Sequence, residues 1–134
     1  MTEAAIKVDW QDETRTVIRY HCASAWDWPD LHQAVKDSIS LMDSVDHAVH
    51  QVIDLGAYNQ LPKGNALGQF RLVMKVSMEH PNSGHVIMTN PNAFGRALAG
   101  TFMRIYSRDE IASRFHFVET LEDAQTLLAE RIPK

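Results

Sequence analysis

The chain has 134 residues, 45% of them hydrophobic and 22% charged, with a formal net charge of -4. That is the size and apolar content of a single domain, 1–134, with a real core, and its mild acidity argues against a general nucleic-acid binder, whose surface is usually basic. The sequence lacks an apolar run near the roughly 20 residues of a membrane span, and residues 1–7 lack the basic-then-apolar pattern of a signal peptide; Cys22, as the single cysteine, excludes an internal disulfide and a cysteine-based zinc cluster. The expectation is a cytoplasmic protein.

Residues 4–10 alternate, with Ile6, Val8 and Trp10 on one side and Lys7 and Asp9 on the other, which is the period of a half-buried strand. Gln11 to Thr14 reads as a turn, and residues 15–22 alternate again with Ile18, Tyr20 and Cys22 in phase. Together they predict an antiparallel hairpin with one apolar face. Asp27 then caps a helix that has Pro29 and Asp30 in its first turn, and Trp26 just before the cap suits a hydrophobic staple on Leu31. Trp28, Leu31, Val35, Ile39, Met42 and Val45 form its buried stripe, opposite Gln33, Lys36, Asp37, Ser40 and Asp43. An internal strand is predicted over residues 50–55, a loop over 56–63 and a helix over 64–80 that buries Leu67, Phe70, Met74 and Met78. Pro81 to Gly84 is turn chemistry, residues 85–89 a strand, and Asn90 or Asn92 the cap of a helix running to about Tyr106. Phe115 to Val118 is the last strand, and Thr120 with Asp123 opens a final helix that turns Leu121, Ala124 and Leu128 inward. The expected fold is α/β: a mixed, mostly parallel five-stranded sheet in the order β-β-α-β-α-β-α-β-α, because strands joined by single helices pair in parallel.

This order, together with the stretch Val52-Ile53-Asp54-Leu55-Gly56, resembles the STAS domain, the fold of anti-sigma-factor antagonists of the SpoIIAA type. Members of that family often carry an apolar strand ending in Asp-Leu-Ser, followed by a loop and a helix whose start holds a phosphorylatable serine. Here Pro62, Lys63 and Gly64 occupy the positions of the family's Asp-Ser-Ser, so no hydroxyl is available. The resemblance implies the fold without the phosphorylation switch, as in STAS-like bacterial proteins that share the architecture and lack the serine.

Ligands in open α/β sheets bind outside the carboxyl ends of the strands. Those positions hold Asp54, Tyr58, Asn59, Lys63 and Gly64 after one strand and Asn90, Asn92 and Arg96 after the next. Two helix N-termini near Gly64 and Asn92 would present free N–H groups to an anionic ligand or a partner carboxylate, with Lys63 adding charge. The plainer alternative is that the asparagines are caps and Asp54 bonds its own loop. Arg96, Arg104 and Arg108, with Arg71 and Lys75, make either a surface for an acidic partner or a solvated face. Seven histidines are present without the spacing of a metal site. Neither G-x-S-x-G nor G-x-G-x-x-G occurs, and Cys22 lies on the apolar phase of its strand, where burial makes a thiol inert.

The resulting expectation is a non-enzymatic STAS-like protein-interaction or small-ligand-binding domain, with no cofactor or metal, and a possible homodimer through the hairpin edge strand or an uncovered sheet face. Alternatives are a carrier for a hydrophobic small molecule or lipid, using the methionines and phenylalanines as an adaptable lining, and an enzyme using Asp54 and neighbouring loop residues.

Overall fold

A computed structural model describes residues 6–22, 26–54, 66–89, 104 and 114–131, the side chains at 66, 67, 70, 74 and 131 excepted. The alternating segments at the start form strands β1, Ile6–Trp10, and β2, Val17–Cys22. They pair antiparallel with Ile6 opposite Cys22 and Trp10 opposite Ile18. In the connecting turn Asp12 accepts hydrogen bonds from the amide and hydroxyl of Thr14, which hold its carboxyl below the ordinary value. The turn closes with Arg15 at φ 54, a left-handed conformation that costs a residue with a Cβ about 1–2 kcal/mol.

Helix α1 runs Trp28–Asp43. Its start is the expected cap: the Asp27 side chain accepts from Asp30 N–H, and the Asp30 side chain accepts from Asp27 N–H. Trp26 and Trp28 meet edge to face, with centroids 5.6 Å apart, and both are buried, so they close the core. Leu31, Ala34, Val35, Ser38 and Met42 are buried, while Ile39 is only partly so. Strand β3, Val49–Asp54, is buried along almost its whole length, as an internal strand must be. Helix α2, Ala66–Met78, ends ahead of Pro81, and strand β4 is Ser83–Thr89. Strand β5, Phe115–Val118, leads through Thr120, whose hydroxyl accepts from Asp123 N–H, into helix α3, Leu121–Arg131.

The strands lie in the order β1-β2-β3-β4-β5. The first pair is antiparallel and every later pair is parallel, giving an α/β fold with a mixed, mostly parallel five-stranded sheet. The helix expected over residues 90–106 lies outside the described residues apart from Arg104, which is helical and exposed.

Helices α1 and α2 cover one face of the sheet, where Ile18, Tyr20, Val49, Ile53, Val86, Met88 and Phe115 pack against Leu31, Val35, Met42, Val73 and Met78. Helix α3 covers the other face, where Ala124 and Leu128 pack on Val17, Val52 and Ile87, with Val118 beside them. Burial of one such aliphatic side chain contributes about 1.5–3 kcal/mol, so both faces add to stability.

Candidate functional site

The face under α3 is best followed through the strand register. Arg19 pairs with Val52 and Val52 with Ile87, and Ile87 pairs with His116, so these four side chains form one row. The row toward the carboxyl ends of the parallel strands reads His21, Asp54, Thr89 and Val118. In the row toward their starts, Val17 pairs with His50. The apolar members, Val17, Val52, Ile87 and Val118, therefore step diagonally across the sheet from the start of β2 to the end of β5. Helix α3 lies on that diagonal and leaves two polar corners. One, at the carboxyl ends of β2 to β4, contains His21, Arg19, Asp54 and Thr89. The other, at the starts of β3 to β5, contains His50, His85 and His116.

The first corner is built around Asp54, the last residue of β3. Arg19 Nη2 donates to Asp54 Oδ2 at 3.2 Å, and Thr89 Oγ1 donates to Oδ1 at 3.2 Å. Arg19 and Asp54 are half-buried, with 21% and 23% of their side chains exposed. Arg19 Nε is buried and has no hydrogen-bond acceptor among the described residues. Toward the edge, His21 Nε2 lies 3.4 Å from Asp9 Oδ1, and Lys7 Nζ is 3.9 Å from Asp9 Oδ2. This corner thus joins a charge-assisted carboxylate–guanidinium contact to an unused guanidinium donor, at the end of the sheet where such folds place ligands.

Of the residues expected at this site, Asp54 stands in the corner, paired with Arg19 and Thr89 rather than only with its own loop. Tyr58, Asn59, Lys63, Gly64, Asn90, Asn92 and Arg96 lie outside the described residues. Arg71 and Lys75 are exposed on α2 beside Leu72 and Val76, which are also exposed. The contributions of Arg19 and Thr89 were missed at the sequence level. Arg19 was legible as a polar-phase residue of β2, but its partner depends on the register between β2 and β3.

On the opposite face, four polar side chains are buried in one chain of contacts. Tyr20 Oη lies 2.7 Å from Ser38 Oγ and 2.6 Å from Gln51 Oε1, Gln51 Nε2 lies 2.7 Å from Ser77 Oγ, and Ser38 Oγ donates to Val35 O at 2.7 Å. With the Ser38 proton on Val35, the one phenolic proton cannot serve both Ser38 and Gln51 as acceptors. Turning the Gln51 amide end for end satisfies every atom: Ser77 donates to Gln51, Gln51 to Tyr20, and Tyr20 to Ser38. Burial pushes the Tyr20 phenol above its ordinary 10, so it stays protonated. Tyr20, Gln51 and Ser77 line a small cavity with Val73, Met88 and Phe115, with room for about one water molecule. Cys22 packs at the edge of this core, and burial, with the Asp54 charge second, pushes its thiol up to about 12. The thiol is therefore protonated and inert at neutral pH.

Among the described residues, no three of His, Cys, Asp and Glu are arranged to hold a metal ion, and no helix is long and apolar enough to cross a membrane. Comparison with protein-family models, curated proteins and solved structures gave no match in any of the three.

Proposed function

We propose that the chain is a non-enzymatic STAS-like domain, without a phosphoserine switch, that binds the anionic group of a small ligand or of a partner protein at the carboxyl-end corner of its sheet. The observation that carries this reading is Arg19 Nε, buried beside Asp54 and without an acceptor among the described residues. An incoming carboxylate or phosphate oxygen can accept from Nε while Nη2 keeps its bond to Asp54, so binding would not have to break the existing pair. Leaving that buried donor unmatched is costly, and a ligand that matches it recovers about 1.5–3 kcal/mol. In the sequence, the segments that follow Asp54 and Thr89 carry Tyr58, Asn59, Lys63 and Gly64, and Asn90, Asn92 and Arg96. The STAS likeness rests on strand and helix order and on Val52 to Gly56.

Thermal-shift measurements against a panel of small carboxylates and phosphates test the ligand arm, and pull-downs with an immobilised wild-type chain test the partner arm. Arg19→Gln should weaken any binding detected by about ten- to a hundredfold, and Lys63→Glu should weaken it further. Binding that is unchanged in Arg19→Gln would place the site elsewhere.

A further inference from the structure

The second polar corner joins three histidines from three adjacent parallel strands. His85 N–H donates to His50 Nδ1 at 2.9 Å, and His85 Nδ1 lies 2.9 Å from His116 Nε2. The rings of His50 and His85 stack with centroids 5.5 Å apart, and those of His85 and His116 are 5.1 Å apart. The strand geometry is adapted to this contact. The β3–β4 register shifts between Val49 and Gln51, so that Gly84 and His85 together stand opposite His50. A Cβ on Gly84 would lie 2.6 Å from His50 Nδ1, so only glycine allows the imidazole this close to the β4 backbone.

Each contact in this row specifies where protons are. His50 Nδ1 accepts a backbone N–H, so it carries a lone pair, and the neutral ring holds its proton on Nε2. The contact between His85 and His116 requires one nitrogen with a proton and one without. If all three rings become imidazolium, His50 Nδ1–H faces the His85 N–H, and His85 Nδ1–H faces His116 Nε2–H. Both links across β3, β4 and β5 are then replaced by repulsion.

We propose that His50, His85 and His116 form a proton-operated lock, which fastens the starts of β3, β4 and β5 while neutral and releases β5 from the sheet when the rings are fully protonated. Among the described residues, the following groups surround the row. From β2 the row meets Val17, and α3 turns Ala124 and Leu128 to this face, with Glu122, Asp123 and Glu130 exposed. At the start of β5 stands a fixed cation, Arg114, which donates to Ser83 O and Met78 O. Before β3, His47 lies 2.8 Å from Arg15 O and 3.9 Å from Asp46. The contact of His80 Nε2 with Asp43 Oδ1, at 2.7 Å, joins the approach to β4 to the end of α1.

The direction at His50 agrees with this geometry. Burial, and secondly the neighbouring His85, lower its affinity for protons below the ordinary value of 6.5. The folded chain then binds fewer protons than the unfolded chain between that lowered value and 6.5, so stability falls as the pH drops through this window and is fully present above it.

Hydrogen exchange read by mass spectrometry at about pH 7.5 and about pH 5.5, corrected for the intrinsic exchange rate, brackets the range where imidazoles titrate. The expected result at the lower pH is loss of protection of about tenfold or more in peptides covering β5 and the start of β4, with β1 and β2 retained. The double variant His85→Gln/His116→Gln, whose amides do not titrate, should lose most of that pH difference. Equal protection of β5 at both pH values, or a loss spread evenly over the whole sheet, would overturn the proposal. Should the double variant not fold, an NMR titration of the wild-type imidazoles decides: protonation of all three rings with β5 amide signals unchanged would equally overturn it.

Discussion

Two polar clusters on opposite faces of the sheet differ in how completely their hydrogen bonds are made. Beneath α1 and α2, Tyr20, Ser38, Gln51 and Ser77 are buried, and each polar atom has a complementary partner within the chain of contacts. Beneath α3, Arg19, Asp54 and Thr89 are grouped at the margin of the helix, with Arg19 Nε unmatched among the described residues and the pair partly exposed to solvent. A closed buried network fixes one arrangement of the core and leaves nothing for a ligand to recognise. An incompletely matched cluster at the margin contributes less to stability and keeps a donor for something outside the chain. The difference in hydrogen-bond completion, more than in polarity, is what separates a structural cluster from a candidate site here.

Substitutions sharpen this contrast, and the largest effect belongs to the closed network. Gln51→Ala removes the partner of Ser77, leaves Tyr20 with Ser38 alone and opens a cavity in an internal strand, so it should destabilise the fold by about 3 kcal/mol or more in urea unfolding. Tyr20→Phe removes one hydroxyl and leaves Gln51 and Ser38 short of a partner, at a cost of about 1–3 kcal/mol. In a double-mutant cycle the two substitutions should be clearly non-additive, because they interrupt the same chain. Full additivity would break the comparison by showing that the contacts act separately. At the other face, Asp54→Asn should change stability by about 1 kcal/mol or less, as expected for a partly exposed pair, while weakening any ligand that depends on the orientation of Arg19. A loss as large as that of Gln51→Ala would mean that the Arg19–Asp54 corner is part of the structural core.

Much of the architecture was readable before the structure. The hairpin followed from two alternating segments and a polar turn, the start of α1 from Asp27 and Asp30, and the internal character of β3 from its nearly continuous apolar run. The final helix followed from Thr120 and the inward phase of Leu121, Ala124 and Leu128. These are local patterns, set by side-chain period and by capping over a few residues. Asp54 was also legible, because it ends a strand where the chain enters a loop. What was missed is polar and long-range. Gln51 interrupts an apolar strand and Ser38 sits in the apolar stripe of α1, and those interruptions were the available signal for a buried network. Nothing in the sequence joined them, since Tyr20 and Gln51 are 31 residues apart and Gln51 and Ser77 are 26 apart.

The histidines make the same point more sharply. In the sequence the seven histidines show only the absence of metal-site spacing, yet separations of 35 and 31 residues bring His50, His85 and His116 from one parallel strand to the next. The sequence by itself determined the class of fold, the elements and the faces they bury, because hydrophobic period and caps act within one element. Only the tertiary structure decided that α3 follows a diagonal of valines and isoleucine, that Arg19 reaches Asp54, and that three histidines form a row. Those contacts depend on strand register, and a shift of one residue would turn each of these side chains to the opposite face.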